Sequence, residues 1–315
     1  MLALTQITPW HWAGFVVVIL FFLALDLGVF HRSAHVVRFK EALLWSGIWF
    51  LMALLFARGL VSLRGRDEAL EFLTGYIIEL SLSMDNIFVM VLIFGYFAVP
   101  RAQQHRVLFW GIVGALVMRG IMIGIGGALI SAFHWVLYVF GGFLVFTGIR
   151  MAISNEQGVD PEKNAIIRLA KKLFPVSHEF EGQKFFTKLN GALALTPLAL
   201  VLLMVETTDL IFAVDSIPAI FAVTEKTFIV FTSNVFAILG LRSLYFVLAG
   251  AILYFRYLKF GLSIVLVFIG GKMLIAKWHH IPVNVSLIVV AGIIAVSMVA
   301  SLISVWRQKP SPPQA

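Results

Sequence analysis

The sequence predicts an all-α polytopic membrane protein of about nine transmembrane helices, six of them forming two inverted three-helix repeats. Three observations carry that expectation. The chain is 61% hydrophobic and 13% charged, with mean hydropathy +0.98, far from the composition of a soluble domain of 315 residues. Its apolar residues run in long uninterrupted blocks rather than alternating, which excludes a β-barrel. A stretch around one intramembrane aspartate returns 124 residues later.

The blocks are roughly Trp10–Phe30, Ala42–Leu63, Phe72–Val99, Val107–Ile130, Trp135–Met151, Ala192–Val223, Phe228–Leu253, Leu258–Ala276 and Ile281–Trp306, each near the ~20 residues that span hydrocarbon as a helix. The first has no Lys or Arg before it, so it reads as a retained helix rather than a cleaved leader. Between blocks five and six, Ala152–Asn190 is the one sizeable polar piece, with Val159–Phe174 patterned as an interfacial amphipathic helix. The tail from Lys309 is proline-rich and reads as disordered. The organisation expected is two N-terminal spans (1–70), repeat one (71–151), a cytoplasmic linker (152–190), repeat two (191–277), a last span (278–306) and a tail (307–315).

Net charge +8 suggests nucleic acid in a soluble protein, but here the bases follow topology. With the N-terminus outside, cytoplasmic segments hold 16 Lys and Arg and external ones 5, as the positive-inside bias requires. This implies an external N-terminus and a cytoplasmic C-terminus for the protein. Its partners are lipid and a small substrate, with no nucleic acid, and no oligomeric state is indicated. The chain has no cysteine, which removes disulfides, thiolate metal sites and redox dithiols.

The repeat has three parts in order. Asp85-Asn-Ile-Phe-Val returns as Asp209-Leu-Ile-Phe-Ala at offset 124. Gly114-Ala-Leu-Val-Met-Arg119 returns as Ala237-Ile-Leu-Gly-Leu-Arg242 at offset 123, and Leu144-Val-Phe-Thr-Gly-Ile-Arg-Met151 as Leu266-Val-Phe-Ile-Gly-Gly-Lys-Met273 at offset 122. Each copy holds three spans, and an odd number inverts the second copy in the membrane. In inverted repeats the binding site lies near the midplane between the halves.

Five carboxylates fall in blocks three and six: Glu79, Asp85, Glu206, Asp209 and Asp215. An acid at bilayer depth costs several kcal/mol or so unless paired, hydrated or bound to a cation, which makes these the candidate site. Pairing with Arg119 and Arg242 neutralises at most two of them, and the remaining charge suits a divalent cation, protons, or both in alternation. On regular helices only Glu206 and Asp209 share a face. Convergence of all five therefore requires local unwinding, for which Ser83, Asn86, Thr207, Thr208, Pro197 and Pro218 are the available breakers.

All eight histidines lie in loops or near block ends. A site of carboxylates with Thr208, Asn86 and backbone oxygens therefore favours Mn²⁺, Mg²⁺ or Ca²⁺ over Zn²⁺ or Cu⁺. Asn86 and Asn234 either line the path or bridge helices by hydrogen bonds. Met84 and Met204 read as packing rather than soft ligands. Asp26 is an interfacial residue or a sixth ligand, Lys272 snorkels, and the glycines around 124–127 and 270–271 read as close-packing positions.

Phe72-Leu-Thr-Gly-Tyr-Ile-Ile-Glu-Leu-Ser-Leu-Ser-Met-Asp-Asn-Ile-Phe88 and Glu206-Thr-Thr-Asp-Leu-Ile-Phe-Ala-Val-Asp-Ser-Ile-Pro-Ala-Ile-Phe221 resemble the signature segments of the bacterial TerC family. From Trp10 to Trp306 the chain is similar to that family's Alx-type members, within a wider LysE-like transporter group. The resemblance implies that the five acids handle the transported ion, and it implies export of Mn²⁺, a substrate rather than a bound cofactor. The family's name also implies tellurium resistance.

The function expected is thus secondary transport of Mn²⁺ out of the cell, with proton return through the same carboxylates, and no enzymatic activity. The alternative is a membrane scaffold or redox-linked tellurium-resistance component that transports nothing. An intramembrane aspartyl hydrolase is a third class, for which the Asp85/Asp209 pair has no Gly-rich peptide-binding signature beside it.

Overall fold

A computed structural model describes residues 8–25, 39–153, 164–177, 179–189, 191–249, 257–279 and 281–307. Asp26, most of the linker's first half and the tail beyond residue 307 lie outside the described residues. The helices are α1 (Pro9–Leu25), α2 (Phe39–Arg64), α3 (Arg66–Tyr96), α4 (Arg101–Ala132), α5 (Val136–Ile153), α6 (Ala165–Leu173), α7 (Pro197–Phe221), α8 (Thr227–Leu248), α9 (Leu258–Ile275) and α10 (Val283–Arg307).

Among the described residues eight helices are long and apolar enough to cross a membrane, α2 to α5 and α7 to α10. α1 is described over 17 mostly apolar residues and ends at the edge of the described residues, so the expected first span, Trp10–Phe30, lies partly outside them.

Local chemistry sets the helix boundaries. Gly65, at φ 95°, breaks the chain between α2 and α3, and Arg64 rejoins the two helices through Nε and Nη2 bonds to Glu68 at 2.8 and 2.9 Å. α7 starts at Thr196, whose hydroxyl accepts from the Ala199 amide, with Pro197 in the first turn where no donor is needed. α6 is capped by Asn164, which accepts from the amides of Ile166 and Ile167.

The linker contains more structure than the sequence reading allows. α6 is shorter than the predicted Val159–Phe174, and a hairpin follows it: β1 (Phe186–Leu189) pairs with β2 (Ala192–Leu195), Leu189 opposite Ala192. The expected sixth span takes in residues 192–195 because they are apolar. The Asn190-Gly191 pair, with Gly191 at φ 81°, is the two-residue hairpin signal that a hydropathy reading overlooks.

The helices of residues 66–153 pack chiefly on those of residues 197–275. α3 lies on α8, α4 on α7 and α5 on α9, while consecutive helices such as α4 and α5, or α7 and α8, touch little. The α5/α9 contact is made by glycines. A Cβ on Gly148 would sit 2.8 Å from the Ser263 carbonyl oxygen, and one on Gly270 would sit 2.6 Å from that of Gly141. Residues 148 and 270 differ by 122, and so do 141 and 263, so two contacts of the same kind are related by the offset found in the sequence. Small residues permit this approach where lipid supplies no hydrophobic drive for association.

α3 and α7 run unbroken through their acids, which corrects the expected unwinding. The potential breakers are absorbed within the helices: the Thr207 and Thr208 hydroxyls donate to the Leu203 and Met204 carbonyls, each at 2.6 Å, and α7 continues through Pro218. Hydroxyls that bond back to the preceding turn need no alternative backbone path.

Candidate functional site

α7 is two-faced by sequence. Leu210, Ile211 and Val214 are exposed on the outside, while Asp209, Ala213, Ser216, Ile217 and Ile220 are buried inside. On α3, Glu79, Ser83 and Asn86 are buried at i, i+4 and i+7, one stripe of a regular helix. Arg119, from the middle of α4, is the largest fully buried side chain among the described residues.

These three helices meet at the arginine. Arg119 is 2% exposed and ion-paired to both Glu79 (0%) and Asp209 (4%). Its Nη2 donates to Asp209 Oδ1 at 2.9 Å and its Nε to Oδ2 at 3.2 Å, a bidentate pair. Nη1 donates to Glu79 Oε1 and, at 3.4 Å, to Ser216 Oγ. The Asn86 amide completes the cluster by donating to Asp209 Oδ1 at 3.2 Å.

One guanidinium thus faces two buried carboxyl groups. Several acceptors remain unused: Glu79 Oε2, Ser83 Oγ and Asn86 Oδ1 are buried without a hydrogen-bond partner, as are both amide atoms of Asn234. Asn234 is 1% exposed and lies on the α8 stripe that also carries Val230 and Leu241. Leu241 borders a void of about 10 Å³ beside Asp209, room for about one water.

The remaining acids are distributed, not gathered. Glu206 is half-buried one turn before Asp209, close enough to act on it electrostatically, and its carboxylate fills the space left by the missing side chain of Gly114 on α4. Asp85 interacts with Lys259 at the start of α9. Asp215 accepts a hydrogen bond from Thr147 of α5, with Arg150 nearby. Arg242 borders the same void as Asp209, and Thr208 is occupied by its own helix.

Among the described residues no three acidic or histidine side chains come together as a metal-holding group. The physical reason is the regularity of α3 and α7: residues at i and i+6 diverge on an unbroken helix, so Asp85 and Asp215 face away from the cluster. Sequence reasoning treated Ser83 only as a breaker and missed Ser216, Gly114 and Thr147. The i+4 spacing of Ser83 from Glu79 and the i+7 spacing of Ser216 from Asp209 are the signals that would have found two of them.

The chain matches the model of the integral membrane protein TerC family over residues 64–311. It is 55% identical over 296 residues, 94% of this chain and 93% of the other, to the uncharacterized membrane protein STKORF319 of Myxococcus xanthus. To Alx of Escherichia coli (strain K12), whose name describes it as a candidate membrane-bound redox modulator, it is 49% identical over 308 residues, 95% of each chain. An uncharacterized membrane protein of Rickettsia felis is 42% identical over 292 residues, 93% of this chain and 97% of that one. No solved structure matches.

Proposed function

Since the chain belongs to the TerC family of integral membrane proteins, we propose that it is a secondary transporter of the bacterial inner membrane that exports Mn²⁺ in exchange for protons. The observation that carries this reading is the buried junction of Glu79, Arg119 and Asp209 from three membrane helices. It holds more carboxylate than cation, at a depth where unbalanced charge is retained only for use.

In this reading the two repeats are related by inversion, and the substrate site lies where α3 and α7 face each other. Mn²⁺ arriving from the cytoplasm exchanges part of its water for Glu79, Asp209 and neutral oxygens of α3. Glu206, Asp85 and Asp215 lie along α7 and α3 as stations on either side of that junction. Protons neutralise the same carboxylates on the return, so that the site never crosses the membrane with both acids bare. An oxygen-only set suits Mn²⁺, with Mg²⁺ and Ca²⁺ as its chemical competitors.

Contacts between loops support the alternating topology. Lys226, between α7 and α8, bonds Glu71 at 3.1 Å near the start of α3, and Arg106, near the start of α4, bonds Gln183 of the linker at 3.0 Å. Each pair lies on one side of the membrane in the proposed arrangement. The name redox modulator belongs to relatives; a chain without cysteine offers no thiol for such a role.

Purified protein in liposomes, with Mn²⁺ flux followed against Ca²⁺, Mg²⁺ and Zn²⁺ and with Asp209→Asn as control, tests the proposal. Saturable Mn²⁺ flux that is lost in the variant is expected. No flux of any divalent ion would overturn it, and flux indifferent to a proton gradient would remove the coupling.

A further inference from the structure

The Arg119 cluster is chemically unbalanced in one direction. The guanidinium directs its donors at Glu79 Oε1, both oxygens of Asp209 and Ser216 Oγ. The α3 atoms left over, Glu79 Oε2, Ser83 Oγ and Asn86 Oδ1, are all oxygens with lone pairs to give. A buried acceptor without a partner is destabilising, and the one donor among these groups, the Ser83 hydroxyl, has a single hydrogen, too few for the other two. Glu79 Oε2 and Asn86 Oδ1 are short of a positive centre or a donor.

A planar fork and a spherical ion use such oxygens differently. Arg119 satisfies carboxylates edge-on, two at a time. A small divalent ion collects six or more oxygens at about 2.1–2.6 Å, which Glu79, Asp209, Ser83 and Asn86 supply in type and nearly in number. The ion and the guanidinium cannot both hold Glu79 Oε1 and Asp209. With the arginine bound the two acids carry a net single negative charge; with a divalent ion instead they are neutral.

We infer that Arg119 is the protein's own stand-in for the transported cation: the ion displaces it from Glu79 and Asp209 and takes up the oxygens of Ser83 and Asn86 that the guanidinium leaves unused. This rests on the transporter reading and specifies what empties and refills its site. Arg119 keeps the unloaded carboxylates from standing bare in the membrane, and its return to them expels the ion. Glu206, beside Gly114 on α4 and one turn before Asp209 on α7, is the carboxylate that receives the released guanidinium. Arg119 is therefore a positioning residue and not a ligand, and Ser83 is a ligand that carries no charge.

Mn²⁺ binding and Mn²⁺ flux, measured separately on the full-length protein in lipid nanodiscs and liposomes, test this. If the displaced state is about a tenth populated or less, Arg119→Gln binds Mn²⁺ about tenfold more tightly than the wild type while its flux falls. Arg119→Lys, whose single ammonium cannot bridge both acids and which keeps the charge should the glutamine variant not fold, shifts both quantities the same way by less. Ser83→Ala weakens binding several-fold without changing helix content. In Arg119→Ala, millimolar guanidinium competes with Mn²⁺ and lowers its binding more than in the wild type. Unchanged or weaker Mn²⁺ binding in folded Arg119→Gln and Arg119→Lys, beside wild-type flux, would overturn the inference and leave the transporter standing. Absence of both binding and flux in the wild type would remove the transporter and the inference together.

Discussion

The carboxylate of Glu206 occupies the place where a side chain on Gly114 would stand. α4 and α7 touch there, so the absence of one Cβ makes room for an acid between them. The repeat relation sharpens the point: the position matching Gly114 is Ala237, and the position matching Glu206 is Leu82. The related place between the halves thus has a side chain in the gap, Ala237 of the second half, and no acid, since the first half has Leu82 there.

Gly114→Ala should therefore expel the Glu206 carboxylate while leaving the helices in place, because the atoms it meets are the free end of a flexible side chain. Flux is expected to fall about tenfold with a stability change below about 1 kcal/mol. Gly124→Ala, whose added carbon meets nothing within 4 Å, serves as the control; equal flux in the two variants would refute the placement of Glu206.

The α5/α9 seam makes a different prediction. Gly148→Ala and Gly270→Ala force a carbon against a carbonyl oxygen on the facing helix, which cannot swing aside. Each should destabilise the protein by about 1–3 kcal/mol, the usual cost of overpacking, read as a lower midpoint of thermal unfolding in detergent. Gly142→Ala, with open space around it, should leave the midpoint unchanged or slightly raised.

The carboxylates should separate by their stability effects. Asp209→Asn leaves Arg119 paired with Glu79 but sets an amide N–H against a guanidinium donor in a buried bidentate contact, a loss of about 1–3 kcal/mol. Asp215→Asn keeps a partner able to hydrogen-bond Thr147 and should cost about 1 kcal/mol or less. Unfolding midpoints of the two variants, measured side by side, check the order; the reverse order would mean that the Arg119 cluster does not hold the core together.

Lys226 offers a salt-dependent readout. Its ammonium bonds Glu71 at 3.1 Å and lies 3.4 Å from Glu68, yet the lysine side chain is 43% exposed, so the contact is worth only about 0–1 kcal/mol. Lys226→Gln should leave the unfolding midpoint almost unmoved. If this loop parts from the start of α3 during transport, the wild-type rate rises with ionic strength, as screening weakens the pair, and the variant's rate does not. Identical salt profiles would show that the contact stays closed throughout the cycle.

The all-helical membrane architecture was legible because long apolar runs leave a one-dimensional trace, and the burial of Glu79 and Asp209 follows a trace of the same kind, a charge where charge is costly. What was not legible depends on how helices face one another. Nothing in the local sequence says that Arg119 would serve Glu79 and Asp209 at once, since those partners lie 40 and 90 positions away. The expected unwinding failed on α7 because its threonines satisfy their hydroxyls on their own helix, and on α3 because Asn86 turns its amide to Asp209 of the facing helix instead of to its own backbone. The hairpin was hidden for the opposite reason: Ala192–Leu195 is apolar enough to pass for the start of a span, and only the asparagine-glycine pair before it shows otherwise.

The cross-packing of the two halves has a consequence for how the protein is made. A chain emerging from the ribosome completes α3, α4 and α5 well before α7, α8 and α9 exist, and the chief partner of each of the first three is in the later set, α3 alone also resting on the earlier α2. The newly inserted first half therefore waits in the bilayer with Glu79, Arg119 and its glycine surfaces facing lipid or the insertion machinery. Maturation is one late event, in which the second half threads into the first. Truncation anywhere before about residue 275 leaves not a smaller protein but an unsealed one.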